Sequence, residues 1–203
     1  CNNTSSLCVC GNCIKEIRFN AIKPVKYFED IPLYACSKYT GSMRQAILKL
    51  KFENKKDVAR IISKLLYNYW KNTDLYSEKF EVVTVPIHKN KKKQRGYDQT
   101  ELIAKYFAFL CGYEINNKLL IRDKETLPQY KLNFQERQEN LQNAFKVNDK
   151  YIPTQKILLI DDISTTGSTL IESIKVLNQN NINEITILVI CDVDLNKQYI
   201  NVK

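Results

Sequence analysis

The chain has 203 residues, of which 44% are hydrophobic and 26% are charged, enough apolar material for a packed core and too much for a disordered chain. Its 31 Lys and Arg residues outnumber 22 Asp and Glu residues, and the net charge of +9 favours polyanionic partners. No apolar run reaches the length of about 18 residues that a membrane span needs, and no signal-peptide pattern opens the chain. We therefore expect a soluble, cytoplasmic protein with no membrane insertion.

Cysteines are concentrated at the start of the chain. Four of the seven lie within the first 13 residues: Cys1, Cys8, Cys10 and Cys13. Cys10 and Cys13 have the spacing with which two thiolates share one tetrahedral zinc, and the other two could complete the site. The alternative is a reduced, cysteine-rich terminus without metal. We predict a zinc-ribbon-like segment and connector over residues 1–35, followed by a second domain over residues 36–203.

The hydrophobic pattern predicts alternating helices and strands after the cysteines. In chain order these are a helix over residues 42–70, a strand over 81–87, a basic loop over 88–96, a helix over 98–110, a strand over 113–121, a polar loop over 123–135, a helix over 135–142, a strand over 156–160, a helix over 168–178 and a strand over 184–191. Continuously apolar strands that alternate with helices are typical of a parallel sheet covered on both faces. The predicted fold class is α/β, doubly wound, with ligands at the carboxyl ends of the strands.

The segment most informative about chemistry begins at Asp161 and Asp162, which directly follow a buried apolar strand. Gly167 then allows a sharp turn, and the backbone N–H groups at the start of the next helix form an anion site suited to phosphate. Carboxylates beside it suit sugar hydroxyls, so the pair of features indicates a ribose 5-phosphate. The alternative, in which the carboxylates only end a strand and a hydroxyl only caps a helix, leaves two charges beside a buried strand unexplained.

A run of cations follows the strand predicted over residues 81–87. It comprises Lys89, Lys91, Lys92, Lys93 and Arg95, with no acidic residue between them. At the ligand-binding edge of the sheet these charges are expected to attract pyrophosphate or single-stranded DNA, although a solvated loop is the alternative. His88, the single histidine, is either a donor to pyrophosphate or a solvated bystander. Tyr97 and Tyr130 either stack on a base or pack into the core.

The segment over residues 157–170 resembles the phosphoribosyl-pyrophosphate (PRPP) signature of type I phosphoribosyltransferases, and the wider chain resembles the ComF/ComFC family of bacterial competence proteins. The resemblance extends over nearly the whole chain and rests on the cysteine knuckle, residues 39–52, 85–88, 95–99 and 129–145, and the Asp161-Asp162 loop. Two departures matter. The family usually has Asn where this chain has Asp98, and it usually has two knuckles, which implies that Cys1 belongs to a truncated first one.

The resemblance implies a role for each part of the site. Asp161 and Asp162 would be the catalytic residues that hold the ribose hydroxyls of PRPP. The 5-phosphate would be bound by Ser164, Thr165, Thr166, Gly167, Ser168 and Thr169. The pyrophosphate would be bound by Ile87, His88, Lys89 and Arg95, with Mg²⁺ bridging pyrophosphate and ribose. Single-stranded DNA would contact Lys89, Lys91, Lys92, Lys93 and Arg95, and a structural Zn²⁺ would be held by Cys1, Cys8, Cys10 and Cys13.

The resemblance also implies a PRPP-binding protein of natural transformation, which handles incoming single-stranded DNA together with other competence or DNA-processing proteins. A phosphoribosyltransferase displaces pyrophosphate with a nitrogen nucleophile, and its site must offset charge and exclude water. No segment indicates a pocket for the acceptor, so a transferase and a binding module without transfer activity both stay open. The alternative function is a phosphoribosyltransferase of nucleobase or nucleotide metabolism with no role in DNA uptake.

Overall fold

The computed structural model describes residues 9–124 and 142–193. The first half of the chain contains helices and strands in the order α1 (Gly11–Lys15), β1 (Lys26–Phe28), β2 (Ile31–Lys38), α2 (Gly41–Phe52), α3 (Asp57–Trp70), β3 (Phe80–Thr84), α4 (Lys89–Arg95) and α5 (Gln99–Cys111). The second half contains β4 (Glu114–Ile115), β5 (Leu120–Arg122), β6 (Phe145–Val147), β7 (Lys156–Ser164), α6 (Ser168–Gln179) and β8 (Ile185–Asp192). Short 3₁₀ turns occupy Asp74–Ser77 and Asp149–Tyr151.

Six strands form one sheet in the order β1-β2-β8-β7-β3-β4. Only the β1–β2 pair is antiparallel, and the remaining neighbours in this sheet run parallel. The strands β5 and β6 form a separate antiparallel pair. The predicted α/β class with a mainly parallel, doubly wound sheet is confirmed.

Side chains that alternate along the central strand β7 enter two different cores, as a sheet covered on both faces requires. Leu158 and Ile160 pack with residues of α2, α3 and α5, whereas Ile157 and Leu159 pack with residues of α6 and the β5–β6 pair. The sheet is therefore buried on both sides, and its carboxyl edge is where ligands have access. No helix among residues 9–124 and 142–193 is long and apolar enough to cross a membrane.

Three predicted elements differ from the structure. The helix predicted over residues 42–70 is two helices, separated by a polar break in which Asn54 has a φ of 53°. The basic loop predicted over residues 88–96 is the helix α4, which ends at Gly96 with a φ of 80°. The strand predicted over residues 113–121 is divided between β4 and β5, which belong to different sheets.

Other predictions agree more closely or are not tested. The helices predicted over residues 98–110 and 168–178 are confirmed as α5 and α6, and the last strand as β8. The strand predicted over residues 156–160 continues to Ser164, so the acidic pair lies within β7 rather than beyond its end. The proposed division between residues 35 and 36 falls inside β2 and stays a prediction. Residues 135–141 of the predicted helix lie outside the described residues.

Candidate functional site

The candidate site lies at the carboxyl edge of the sheet. The strand β7 sits between β8 and β3, and all three run in the same direction. The segments that follow β3 and β7 therefore leave the sheet side by side. This arrangement brings the acidic pair of β7 next to the start of α5, which follows the basic helix α4.

Asp162 is held by two donors from different helices. Its Oδ2 atom accepts hydrogen bonds from Lys51 Nζ at 2.8 Å and from Gln99 Nε2 at 2.7 Å. Lys51 lies in the last turn of α2, and Gln99 is the first residue of α5. Asp162 is only 7% exposed, so the cation of Lys51 offsets a charge that would otherwise be costly at this depth.

Asp161 has different surroundings. Its Oδ1 atom accepts a hydrogen bond from the backbone N–H of Asp162 at 2.7 Å. Burial and the adjacent charge of Asp162 raise the pKa of Asp161 to about 8, against the opposing influence of that N–H and of Lys51. Asp161 also interacts electrostatically with Arg122 of β5, whose pKa is lowered by burial. The two adjacent carboxylates thus differ in charge compensation, because Lys51 pairs with Asp162.

Lys51 and Gln99 were not predicted as site residues. Both lie in segments on which the family resemblance rests, residues 39–52 and 95–99. Neither belongs to a spacing that indicates chemistry by itself, since a lysine or glutamine at a helix end is usually solvated. Their proximity to Asp162 depends on how α2 and α5 pack against the sheet.

The segment between β7 and α6 has a conformation that only glycine suits at one position. Gly167 has a φ of 80°, and a Cβ atom there would lie 2.5 Å from Cζ of Phe28. Ser168 donates its N–H to Thr166 Oγ1 at 3.4 Å, and the two hydroxyl oxygens are 2.9 Å apart. Ser164 Oγ is buried without a hydrogen-bond partner in the described part of the chain. Hydroxyls and the start of α6 therefore converge where the sequence predicts phosphate.

His88 is buried, with 3% of its surface exposed, and it caps α4. The backbone N–H of Asn90 donates to His88 Nδ1 at 3.3 Å, and His88 Nε2 lies 3.3 Å from the carbonyl oxygen of Asp123. In a neutral imidazole one ring nitrogen accepts and the other carries the proton. Because Nδ1 of His88 accepts, its Nε2 carries the proton and donates to the carbonyl of Asp123. The alternative of a solvated bystander is therefore wrong, whereas the predicted contact with pyrophosphate stays a prediction.

Asp98 fixes the start of α5 and the turn after β3. Its Oδ1 atom accepts from the N–H groups of Thr100 and Glu101 at 2.9 and 3.1 Å, and its Oδ2 atom accepts from the N–H of Ile87 at 3.1 Å. Burial raises the pKa of Asp98, although the bonds from Ile87 and Glu101 oppose the rise. These contacts need an acceptor at both terminal atoms, which the carboxylate of Asp98 supplies; the asparagine that the family usually has offers one acceptor oxygen, enough for the two N–H groups that cap α5 but not also for Ile87.

The cations of the basic helix α4 are not equally available to a ligand. Lys92 pairs with Glu101 of α5 at 2.7 Å, and Lys105 binds the same carboxylate. Although burial opposes the change, these two cations lower the pKa of Glu101 to about 2. Lys89 and Lys93 are exposed. Arg95 donates through Nη1 to Oε1 of Gln99.

Tyr97 packs into the core rather than standing out as a stacking platform. It is 8% exposed, its hydroxyl donates to the carbonyl oxygen of Leu50, and the ammonium of Lys56 lies 5.1 Å from its ring centroid. Of the two alternatives, core packing is confirmed for Tyr97. Tyr130 lies outside the described residues.

The cysteine knuckle is only partly described. Cys10 Sγ lies 3.5 Å from Cys13 Sγ, and hydrogen bonds from Cys13 lower the pKa of Cys10. That separation suits two thiolates that share one metal ion. Cys1 and Cys8 fall outside the described residues. Within residues 9–124 and 142–193, no group of three or more His, Cys, Asp or Glu side chains is placed to hold a metal.

Comparison with known proteins shows which proteins the chain is similar to. Residues 120–200 match the phosphoribosyl transferase domain. The chain is 28% identical over 189 residues to competence protein F of Haemophilus influenzae, a match that covers 88% of this chain and 82% of that protein. The predicted resemblance to the ComF family is confirmed. The chain is also 25% identical over 193 residues to the DNA utilization protein YhgH of Escherichia coli strain K12, with 93% and 79% of the two chains covered.

A solved structure gives a more distant likeness. Adenine phosphoribosyltransferase from Leishmania donovani superposes with a TM-score of 0.44 and 14% identity, over 74% of this chain and 58% of that chain. A likeness of this degree supports no inference about a substrate. Of the candidate site, Asp161, Asp162 and Gly167 lie within the matched domain, whereas Lys51 and Gln99 precede it.

Proposed function

We propose that this protein binds PRPP with Mg²⁺ at the carboxyl edge of the sheet and acts in DNA uptake during natural transformation. One observation carries the proposal: the carboxyl end of strand β7 carries two carboxylates, Asp161 and Asp162, and leads through a hydroxyl-rich turn at Gly167 into α6. Carboxylates accept hydrogen bonds from a ribose diol, and the start of a 12-residue helix favours a phosphate. Together they match the two ends of ribose 5-phosphate.

The other components of the ligand have candidate partners nearby. The turn from Ile87 to Lys89 and the side chain of Arg95 would receive the pyrophosphate, because they follow β3, the neighbour of β7. Mg²⁺ would supply positive charge between pyrophosphate and ribose, where carboxylates and phosphate oxygens are the ligands that it prefers. Transfer of the ribose phosphate to a nitrogen acceptor would follow if an acceptor fits, and release of pyrophosphate from PRPP across a panel of bases and nucleic acids tests that step.

The role in DNA uptake is supported by the relatives and by charge. The similar proteins are named for competence and for DNA utilization, and this chain carries a net charge of +9. Exposed cations of α4 lie beside the proposed PRPP site, and such charges attract the phosphates of single-stranded DNA. On this proposal the protein works on the cytoplasmic side, with other competence or DNA-processing proteins as partners and a structural Zn²⁺ at the cysteine knuckle.

Titration calorimetry with PRPP and Mg²⁺ tests the first part of the proposal. The parent protein is expected to bind, and Asp161→Ala and Asp162→Ala are expected to lose at least about tenfold in affinity, because a lost hydrogen bond to a charged group costs about 1.5–3 kcal/mol. Asp74→Ala removes an exposed carboxylate from the 3₁₀ turn and serves as the matched control. Unchanged affinity in the double variant at positions 161 and 162 would contradict the site assignment.

Fluorescence anisotropy with a single-stranded oligonucleotide across a salt series tests the second part. Each neutralised phosphate contributes about 0.7 to the slope of log affinity against log salt. Replacing Lys91, Lys92 and Lys93 by Ala is therefore expected to flatten the slope by about 1.4 to 2.1 units, the lower figure allowing for the ion pair of Lys92. The control replaces three exposed lysines outside α4: Lys64, Lys79 and Lys175. Equal slopes for parent and α4 variant would show that the run is only solvated.

A further inference from the structure

A continuous chain of contacts joins the basic helix α4 to the acidic pair. Arg95 of α4 donates to Oε1 of Gln99, and Nε2 of Gln99 donates to Oδ2 of Asp162 at 2.7 Å. Gln99 is 4% exposed and Asp162 is 7% exposed, so the amide makes these contacts in a buried setting. Buried hydrogen bonds of this kind are costly to leave unmade.

The amide of Gln99 is oriented by its two neighbours. A guanidinium can only donate and a carboxylate can only accept, so Arg95 takes the oxygen of Gln99 and leaves the NH₂ group to Asp162. Loss of Arg95 would remove the restraint on the amide oxygen and allow the side chain to turn. A change at Arg95 on α4 would therefore alter the hydrogen bond that Gln99 donates to Asp162.

The contacts also restrain Asp162 at one particular atom. Lys51 and Gln99 both donate to Oδ2, so the protein holds this oxygen from two sides. A carboxylate with one oxygen held in this way presents its other oxygen in a fixed direction. Such a fixed direction is what orientation of a ribose hydroxyl requires.

We propose that Gln99 is a positioning residue that couples Arg95 on α4 to the ribose-binding carboxylate of Asp162. The inference rests on the proposed function, and it adds that the affinity for the sugar depends on Arg95 even when the ligand has no group that Arg95 touches. Arg95 has five N–H donors, so it can contact the pyrophosphate of PRPP and still donate to Gln99 through Nη1. A separate anion that draws Arg95 away from Gln99 would weaken sugar binding, and by reciprocity a bound sugar would weaken the binding of that anion at α4.

Ribose 5-phosphate is the probe that separates this role from direct contact, because it lacks the pyrophosphate. Calorimetry would compare the parent with Arg95→Met, Gln99→Met and the double variant. Each single substitution is expected to weaken ribose 5-phosphate binding about fivefold, and the double variant is expected to be no weaker than Gln99→Met alone, since residues in one network are not additive. Arg95→Lys keeps a donor for Gln99 and should restore most of the affinity.

Two matched controls are available on exposed surfaces. Gln94→Met repeats the glutamine substitution on α4, and Lys64→Met removes the same charge from α3; both should leave the affinity for ribose 5-phosphate unchanged. If Arg95→Met weakens PRPP binding but leaves ribose 5-phosphate binding as in the parent, Arg95 acts only on the pyrophosphate and the coupling is refuted. That comparison decides the question even if Gln99→Met does not fold.

Failure of the proposed function is a different result. A parent protein that binds neither PRPP nor ribose 5-phosphate would overturn both proposals. If the parent binds PRPP but binds ribose 5-phosphate too weakly to titrate, PRPP becomes the ligand. Its affinity is then measured for the parent, Arg95→Met, Gln99→Met and the double variant. Losses that combine additively for Arg95→Met and Gln99→Met would then overturn the coupling alone, and a shortfall from additivity of about fivefold or more would support it.

Discussion

Asp161 and Asp162 are adjacent residues of the same type, yet their negative charges are compensated to different degrees. Asp162 has the ammonium of Lys51 at 2.8 Å, and Asp161 has a raised pKa because of burial and the charge of Asp162. Adjacent carboxylates that cannot ionise equally are common in sites that bind or transfer groups. The raised pKa of Asp161 is therefore a destabilising feature of the fold that a ligand hydroxyl or cation would relieve.

The raised pKa predicts how stability depends on pH. The pKa of Asp161 is raised from 3.8 to about 8 in the folded protein. Between these values the unfolded chain releases a proton that the folded chain keeps, so ionisation of Asp161 destabilises the fold increasingly as pH rises through this range. Asp161→Asn keeps an oxygen that can accept the N–H of Asp162 but cannot ionise. Its advantage in unfolding free energy over the parent should therefore grow by about 1 kcal/mol or more between pH 5 and pH 8.

Urea denaturation at pH 5, 6.5 and 8 measures this difference. Asp74→Asn, an exposed carboxylate, is the control and should differ from the parent by the same small amount at each pH. A difference in unfolding free energy between Asp161→Asn and the parent that stays constant from pH 5 to pH 8 would contradict the raised pKa of Asp161.

Single residues of the site were predictable where they belong to a contiguous motif. Asp161, Asp162 and Gly167 follow one another along a strand and a turn, so their proximity follows from local geometry. Lys51 and Gln99 come from elsewhere in the chain, and only packing of α2 and α5 against the sheet brings them to Asp162. The capping role of His88 was also not predictable from the sequence. Burial of a loop histidine depends on contacts such as that with the carbonyl of Asp123, 35 residues away.

At the scale of elements, the turn between β7 and α6 is held from two directions. The φ of 80° at Gly167 is one that side chains rarely adopt, and the ring of Phe28 from β1 leaves no room for a Cβ atom. The phosphate turn is thus shaped partly by β1, the strand at one edge of the sheet. Substitution at Gly167 should reveal both restraints.

Gly167→Ala is expected to destabilise the protein by more than the left-handed conformation alone would cost, which is about 1–2 kcal/mol. The additional loss comes from contact with Phe28, whose Cζ and Cε1 atoms would lie 2.5 and 2.6 Å from the new Cβ. In a Phe28→Leu background these atoms are absent, so the same substitution should cost less. Thermal and urea unfolding of the four proteins gives the interaction free energy.

Gly112 provides a matched control for this cycle. It has a φ of 71°, but nothing lies within 4 Å of a Cβ built there. Gly112→Ala should therefore cost only the conformational penalty, about 1–2 kcal/mol, in both backgrounds. A Gly167→Ala penalty that does not depend on residue 28 would show that the ring moves aside freely.

Two of the mispredicted elements have identifiable physical reasons. Leu50 and Val58 are about two helical turns apart, so the apolar pattern continues in phase across the break and predicts one helix. The run that forms α4 consists mostly of cations, a composition typical of solvated loops. Its helix instead depends on the cap from His88 and on the ion pair between Lys92 and Glu101.

For the molecule as a whole, the alternation of apolar strands and helices predicted the parallel sheet but gave no order for its strands. The position of β2 beside β8 was not predictable from local patterns. The register pairs Leu33 with Ile187 and Lys38 with Asp192, residues that come from opposite ends of the chain. Only the closure of the whole sheet brings them together.

The cysteine knuckle is joined to the rest of the molecule by packing and by a hydrogen bond. Val9 and Ile17 on either side of it are buried, and Cys13 packs against the core that α2 and α3 share. Ser42 at the start of α2 donates to Glu16 at 2.8 Å. Lys51, which contacts Asp162, lies further along the same helix, about 14 Å from Ser42 at the rise of an α-helix. A metal at the knuckle would therefore stabilise the N-terminal segment without touching the sugar-phosphate site.

This separation leads to a prediction about zinc. Protein that carries all four N-terminal cysteines, purified under reducing conditions, should contain about one zinc per chain, since a tetrahedral structural site uses four ligands. Cys10→Ser and Cys13→Ser should each lose the metal and lower the melting temperature, because metal affinity contributes to folding. The affinity for PRPP should change less than about twofold, well below the tenfold step of about 1.4 kcal/mol.

Cys111→Ser is the matched control for the zinc experiment and should keep its metal, since Cys111 lies at the end of α5. Metal analysis that finds no zinc in the parent would refute the structural site. A loss of PRPP binding on removal of the metal would instead refute the prediction that the zinc site and the PRPP site are independent. In that case loss of the metal would shift α2, and with it the contact between Lys51 and Asp162.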